Sequence, residues 1–206
     1  MSSRSPKRAI PVIGVTGPIG SGKSAVSACF AAWGGAIVSG DEIGHRVVDR
    51  SPQLRNRLAR AFGHDILTGG QIDRGLLARR AFAGPRQTAT LNRIVHPALV
   101  AELNREVARL RRRRGVRAVV IDAALLVEWG IGRIHWDFLV GVNAPYELRL
   151  RRLRKRGMSL AQIRRFSRAQ MPWNRKRAYC DFIVKNGSSW ANLRREARLC
   201  WEKMLS

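Results

Sequence analysis

The sequence predicts an α/β protein built around a parallel β-sheet. Five short apolar segments alternate with segments whose apolar residues recur at helical spacing, as in consecutive βαβ units. A glycine-rich segment directly follows the first apolar run and precedes a helical pattern, which is the arrangement of a phosphate-binding loop. The strands are expected at residues 10–15, 36–38, 117–121, 136–142 and 181–185. At 206 residues the chain fits one domain, which we expect to span residues 9–206.

The glycine-rich segment, residues 17–24, fits the P-loop pattern G-x-x-x-x-G-K-[ST]. Its glycines let successive N–H groups turn toward phosphate oxygens, and the following helix presents its positive end to them. Lys23 is expected to reach the β- and γ-phosphates, and the Ser24 hydroxyl to hold Mg²⁺. The predicted nucleotide-binding residues are Gly17, Pro18, Ile19, Gly20, Ser21, Gly22, Lys23, Ser24 and Ala25. The pattern indicates a nucleoside triphosphate but does not separate a kinase from an ATPase or a GTPase.

The charge of the chain indicates an anionic partner. There are 39 Lys and Arg residues against 14 Asp and Glu residues, a formal net charge of +25. Such a surface fits an enzyme with polyanionic ligands, and it also fits nucleic-acid binding through phosphate neutralisation. Because the sequence shows no RNA-binding signature and no basic strand with interleaved aromatic residues, we expect weak non-specific nucleic-acid binding and no dedicated role.

Other features of composition bound the cellular context. No apolar run approaches the roughly 20 residues that span a bilayer. The three cysteines are far apart and lack metal-ligand spacing, which predicts buried thiols in a cytoplasmic protein. Residues 1–8 are polar and basic, and we expect them to be disordered.

Two aspartates follow predicted strands at the edge of the sheet where parallel α/β proteins bind ligands. Asp41 follows the second strand and precedes a helical pattern. It is therefore either the N-cap of that helix or a carboxylate that accepts a proton from an attacking hydroxyl. Asp122 ends the third strand, where P-loop proteins often place a second carboxylate associated with Mg²⁺.

A helical insert is predicted between the second and third strands. Residues of about 51–115 carry helical patterns with no strand pattern, and His96-Pro97 separates two of them. The remaining residues, 9–50 and 116–206, then form the P-loop core. The insert is expected to cover an acceptor pocket.

An arginine-rich lid is predicted at residues of about 149–177. This stretch holds twelve basic residues with no acidic residue among them. In a P-loop kinase such a lid neutralises the transferred phosphoryl group and excludes water. We expect one or two of the twelve to contact that group and the others to be solvated. Beyond the lid, Trp190, Leu193, Ala197 and Trp201 predict the buried stripe of a final helix.

From Ile13 to the last helix the chain resembles the dephospho-coenzyme A kinases. Several motifs carry the resemblance in order. Residues 16–24 are similar to the family's P-loop, and Ser39-Gly40-Asp41 is similar to its Asp-x-Asp motif. Asp73-Arg74 and residues 91–97 resemble its acceptor-side helical region, and Leu125-Leu126-Val127-Glu128 is similar to its Pro-Leu-Leu-x-Glu motif. Arg151 matches its lid arginine, Gln170 its lid glutamine, and residues 181–186 the strand that leads to its adenine-side asparagine.

The resemblance implies a three-layer P-loop kinase fold with a five-stranded parallel sheet, a helical acceptor-binding insert and an Arg-rich lid. It implies ATP-dependent phosphorylation of the ribose 3′-hydroxyl of dephospho-CoA, the last step of coenzyme A synthesis, with Mg²⁺. Another P-loop kinase for nucleosides or nucleotides is the alternative, against which the insert around His96-Pro97 argues. We expect no membrane partner and a monomer or weak homo-oligomer.

The family's roles carry over residue by residue. Asp41 is implied as the base or the group that orients the hydroxyl, with Lys23 and Arg151 on the transferring phosphoryl group. Ser24 is implied as the residue that holds Mg²⁺, and Asp122 is expected near the metal from its place at the end of the third strand. The implied acceptor-binding residues are Asp41, His96 and Leu125, and Asn186 is implied at the nucleotide.

Five positions depart from the family pattern. Pro18 replaces a glycine, Ser39 an aspartate, Ala124 a proline, and Lys155 and Phe166 replace lid arginines. Lysine lacks the bidentate fork of arginine, so the change at residue 155 is not neutral. The residues implied in catalysis remain, and the resemblance therefore implies an active enzyme.

Overall fold

Seven β-strands are present in residues 9–206, the part of the chain that the computed structural model describes. They are β1 (Val12–Thr16), β2 (Gly35–Ser39), β3 (Leu67–Thr68), β4 (Gln71–Ile72), β5 (Ala118–Asp122), β6 (Phe138–Asn143) and β7 (Phe182–Lys185). Five of them form one sheet in the order β2-β5-β1-β6-β7, and every neighbouring pair is parallel. The expectation of a disordered N-terminus concerns residues 1–8, which lie outside the described residues.

Ten α-helices surround the sheet within the same described range. They are α1 (Lys23–Ala32), α2 (Gly40–Arg50), α3 (Pro52–Phe62), α4 (Arg74–Ala81), α5 (Pro85–Arg111), α6 (Leu126–Gly130), α7 (Tyr146–Lys155), α8 (Leu160–Arg168), α9 (Trp173–Lys176) and α10 (Trp190–Leu205). None of the helices in residues 9–206 is both long and apolar enough to cross a membrane.

The central sheet is buried on both faces, which explains why its strands read as continuous apolar runs. On β5, Val119 and Ile121 face a core shared with the insert, whereas Ala118 and Val120 face a second core with α1 and α10. The predicted α/β fold with a five-stranded parallel sheet between two helical layers is therefore confirmed. The strand bounds shift by one or two residues, so that β6 begins at Phe138 and leaves Trp136 outside it.

The insert contains a small β-hairpin that the sequence did not reveal. Strands β3 and β4 pair antiparallel through a turn at Gly69 and Gly70, whose φ angles are 58° and 76°. The prediction of an insert without strands was wrong. Strands of two residues are too short to show the alternating pattern on which strand prediction depends.

The prediction of separate helices on either side of His96-Pro97 was also wrong. Helix α5 is continuous from Pro85 to Arg111 with Pro97 inside it. Proline removes one backbone hydrogen bond, to the carbonyl four residues earlier. The buried apolar face continues through Ile94, Leu99 and Leu103, and its burial outweighs that loss.

The cysteines are free thiols, as expected from their spacing. Cys29 and Cys200 are buried, whereas Cys180 is only partly buried, contrary to the prediction of three buried thiols. Burial nevertheless raises the pKa of the Cys180 thiol to about 11.

The final helix buries three of its four predicted core residues. Leu193, Ala197 and Trp201 are buried in the second core, whereas Trp190 at the first position of α10 is 58% exposed. The prediction for Trp190 was wrong: its indole, at the first position of the helix, lies outside the second core. Trp201 is 1% exposed, with ring centroids 5.2 Å from Phe30 and 6.3 Å from Trp33.

Replacing Trp201 with alanine is expected to lower the free energy of unfolding by about 3–5 kcal/mol, because a buried indole is lost and a cavity remains. Trp190→Ala, on the same helix, is the matched control and is expected to change it by less than about 0.5 kcal/mol. Urea denaturation followed by circular dichroism measures both. Equal losses in the two variants would contradict this description of the second core.

Candidate active site

The loop between β1 and α1 has the conformation of a phosphate-binding loop. Gly17 and Gly22 have φ angles of 150° and 95°. A Cβ at Gly17 would collide with the Val142 carbonyl oxygen, and one at Gly22 with the side-chain nitrogen of Asn186. Glycine is therefore required at both positions, and Lys23 and Ser24 begin the helix that follows.

Side chains from the C-terminal part of the sequence hydrogen-bond to this loop and hold it in place. The Nδ2 of Asn186, a buried residue, donates to the Ser21 carbonyl at 2.8 Å, and Arg152 donates to the Asn186 Oδ1 at 3.1 Å. The Ile19 N–H donates to the Gln170 Oε1 at 2.8 Å. The Asn186 side-chain amide is thus bonded to the P-loop itself. A role for Asn186 in nucleotide binding stays a prediction, and we expect it to act by holding the loop.

Lys23, Asp41 and Asp122 lie near enough to one another beside the P-loop to interact electrostatically. Burial lowers the pKa of Lys23, and the negative charges of Asp122 and Asp41 act in the opposite direction. Burial raises the pKa of Asp122, which Lys23 partly offsets. The Lys23 Nζ donates to the Gly17 carbonyl at 3.3 Å. The structure thus brings together three residues that the sequence places far apart.

The N-cap alternative for Asp41 is excluded by the start of α2. Ser39 is the N-cap, and its Oγ accepts from the Glu42 N–H at 3.2 Å. Ser39 is also the register partner of Asp122 in the sheet. The exposed Asp41 carboxylate is consequently free of a capping role.

A cavity of about 240 Å³, which we call the Asp41 cavity, lies between α2, α4, α5 and the start of α6. Its walls include Asp41, His96, Leu125 and Trp129, and most of the remaining walls are apolar. The His96 and Trp129 rings are 5.4 Å apart. Burial, together with the charge of Arg133, lowers the pKa of His96 below its usual value, which favours the neutral imidazole.

Two arginines of α7 other than Arg151 contact the P-loop. Arg151 is exposed on α7. On the same helix, Arg149 donates to the Ile19 carbonyl at 3.4 Å and Arg152 to the Ser21 carbonyl at 3.5 Å. Their separation of three residues, which places side chains on one helical face, was the available signal.

Arg156, at the end of α7, acts electrostatically on Lys23 and lowers its pKa. Lys155 stands where the family often has an arginine. The adjacent Arg156 nevertheless places a positive charge near enough to Lys23 to affect its pKa.

Lys176 departs from the expectation that nearly all basic lid residues are solvated. It is 1% exposed, and its Nζ lies 2.7 Å from the Glu128 Oε1 and 2.7 Å from the Ala124 carbonyl oxygen. The same Glu128 oxygen accepts from the Met171 N–H at 2.7 Å. This ion pair between a buried lysine and a partly buried carboxylate ties the lid to the segment that begins at β5 and lines the Asp41 cavity.

The donors near the P-loop fit Mg²⁺ rather than a metal held by protein alone. Within residues 9–206 no group of three or more His, Cys, Asp or Glu side chains is placed to hold a metal. Mg²⁺ is usually held by one or two protein oxygens, substrate phosphates and water. Ser24 and Asp122 are donors of that kind.

The fold and this site define a P-loop phosphotransferase. The family model described as dephospho-CoA kinase (CoaE) matches residues 11–192, and the chain belongs to the dephospho-CoA kinase family.

Several known proteins are similar along nearly the whole chain. A dephospho-CoA kinase of Corynebacterium glutamicum is 37% identical over 94% of this chain and 97% of its own length. One from Mycolicibacterium paratuberculosis is 40% identical over 94% of this chain, which spans 47% of that relative. The crystal structure of TT1252 from Thermus thermophilus superposes with a TM-score of 0.78 at 32% identity, covering 97% of this chain and 100% of that one.

Replacing Lys176 with methionine is expected to lower the free energy of unfolding by about 3–5 kcal/mol, because it leaves the Glu128 carboxylate uncompensated beneath the lid. Lys185→Met, at an exposed position of β7, removes the same charge and serves as the control. Chemical denaturation at pH 7 measures both. A Lys176→Met protein as stable as the control would contradict a structural role for the buried pair.

Proposed function

We propose that this chain transfers the γ-phosphoryl group of ATP to the ribose 3′-hydroxyl of dephospho-CoA. One observation carries the proposal: Asp41 lies in the wall of the Asp41 cavity and is coupled electrostatically to Lys23 at the P-loop. A hydroxyl held in that cavity lies beside a carboxylate whose charge acts on the lysine of the phosphate-binding loop. Membership of the dephospho-CoA kinase family supports this acceptor over other alcohols.

Asp41 accepts the proton of the acceptor hydroxyl as its oxygen attacks the γ-phosphorus and ADP leaves. Its exposed carboxylate on the first turn of α2 reaches a bound substrate without first breaking an ion pair of its own among residues 9–206. The neutral His96 and the apolar wall at Leu125 hold the nucleoside by shape and stacking rather than by charge.

Lys23 exchanges its bond to the Gly17 carbonyl for the phosphates of bound ATP. Its burial makes a cationic ammonium costly in the free protein, so a polyanionic ligand restores much of the lost electrostatic energy. Arg151 and Arg156, both on or just beyond α7, add positive charge at the transferring group in this proposal.

Ser24 and Asp122 hold Mg²⁺ in this proposal. When bound, the ion would neutralise negative charge on the phosphates of ATP. Burial keeps Asp122 costly to ionise without a cation, and this favours metal binding at that position. We also propose a cytoplasmic location, which three free cysteines support.

Replacing Asp41 with asparagine is expected to lower the turnover number by about 10²–10⁴-fold, because the proton acceptor is lost while the cavity keeps its shape. The dissociation constant for ATP is expected to stay within about twofold, since the P-loop is unchanged. Glu42→Gln, the exposed neighbour in the same helical turn, is the control and is expected to keep nearly full turnover. Wild-type turnover in Asp41→Asn would refute the assignment of the base.

A further inference from the structure

A second, larger cleft adjoins the Asp41 cavity. It has a volume of about 730 Å³ and lies between the α4–α5 corner of the insert and helix α8 of the lid. Arg79 stands on the insert wall, and Arg164, Arg165 and Arg168 stand on the α8 wall. We call it the arginine cleft after these four residues.

The four guanidinium groups have no acidic partner within residues 9–206. The ion pairs of the described chain leave all four out, although the adjacent Arg80 is paired with Asp65 and the nearby Arg74 with Asp49. Like charges on facing walls repel one another across such a cleft. An anion between the walls removes that repulsion and accepts charge-assisted hydrogen bonds from them.

The arginine cleft and the Asp41 cavity are neighbours that share two wall residues. Phe82 and Asn92 line both of them. Phe82 also contacts Phe166 of α8, with ring centroids 5.4 Å apart, so the two walls are joined at this point. Phe166 stands where the family often has an arginine, and here it is an apolar contact between lid and insert. The arginines beside it are left to line the cleft.

We propose that the arginine cleft binds the diphosphate of the acceptor while the Asp41 cavity holds its nucleoside. The inference rests on the proposed function and names a subsite of the same acceptor. In dephospho-CoA a diphosphate joins the 5′ carbon of adenosine to the pantetheine arm, so the molecule leaves the nucleoside pocket as a dianion. Arginine forks bind such phosphates in a bidentate manner. The mostly apolar Asp41 cavity offers no comparable set of cations.

This subsite gives the enzyme a means of preferring dephospho-CoA to a free nucleoside. Adenosine fills only the Asp41 cavity, whereas dephospho-CoA also occupies the arginine cleft. The preference is therefore expected to reside in the cleft arginines and to disappear with them.

The test is the double variant Arg165→Met and Arg168→Met. Isothermal titration calorimetry on ADP-saturated protein measures the dissociation constants of dephospho-CoA and of adenosine. We expect the dephospho-CoA constant to rise at least about tenfold and the adenosine constant to stay within about twofold. A separate titration is expected to leave the affinity for ADP unchanged, because the P-loop does not contribute to the cleft.

Two further variants control for charge and geometry. Arg113→Met with Arg114→Met removes two exposed arginines beyond the end of α5 and is expected to change neither constant. Arg165→Lys with Arg168→Lys keeps the charge but loses the bidentate fork, and is expected to recover only part of the affinity.

The outcomes separate this inference from the proposed function. An unchanged dephospho-CoA constant, an equal loss for adenosine, or a weakened affinity for ADP would each overturn the cleft assignment. Arginine-dependent binding of dephospho-CoA without turnover would support the cleft and refute the proposed reaction. Turnover of dephospho-CoA that does not depend on the cleft arginines would support the proposed reaction and overturn the cleft assignment.

Discussion

The P-loop must keep its N–H groups turned toward an anion that the protein itself does not supply. Unpaired backbone donors are costly unless neighbouring structure fixes them. Here the support comes from far along the chain: Asn186 and Gln170 bond the loop directly, and Arg152 bonds both the loop and Asn186. Because Gly22 has no Cβ, Asn186 can approach the loop closely enough to form its bond. The nucleotide site is therefore preorganised by the end of β7 and by the lid.

The same lid residues connect nucleotide and acceptor sites. Gln170 reaches the P-loop, while the next residue, Met171, bonds Glu128 on the segment that continues into the wall of the Asp41 cavity. Lys176, also in the lid, forms an ion pair with the same Glu128 carboxylate. A shift of the lid consequently moves contacts at both sites, which suits a reaction whose two substrates must meet and exclude water.

Local patterns predicted the parallel sheet, the P-loop and the position of Asp41, because each is encoded within a few consecutive residues. The contacts that brace the site were not predictable in this way. Asn186 and Ser21 are 165 residues apart, and Lys176 and Ala124 are 52 apart. Lys176 lies in an arginine-rich stretch, and the sequence alone predicts a solvated side chain there. Only the fold shows that the Glu128 carboxylate lies beside it. Likewise, spacing alone does not say which face of α7 meets the loop, so the contacts of Arg149 and Arg152 with it were not predictable.

The measurement that tests the account most directly is ADP release from ATP and Mg²⁺ with dephospho-CoA as acceptor. Reactions without acceptor and with adenosine run beside it. The account predicts release that depends on dephospho-CoA, and a product whose ³¹P NMR spectrum shows one new phosphomonoester at the ribose 3′ position. ADP release indifferent to dephospho-CoA, or a phosphate at another position, would contradict it.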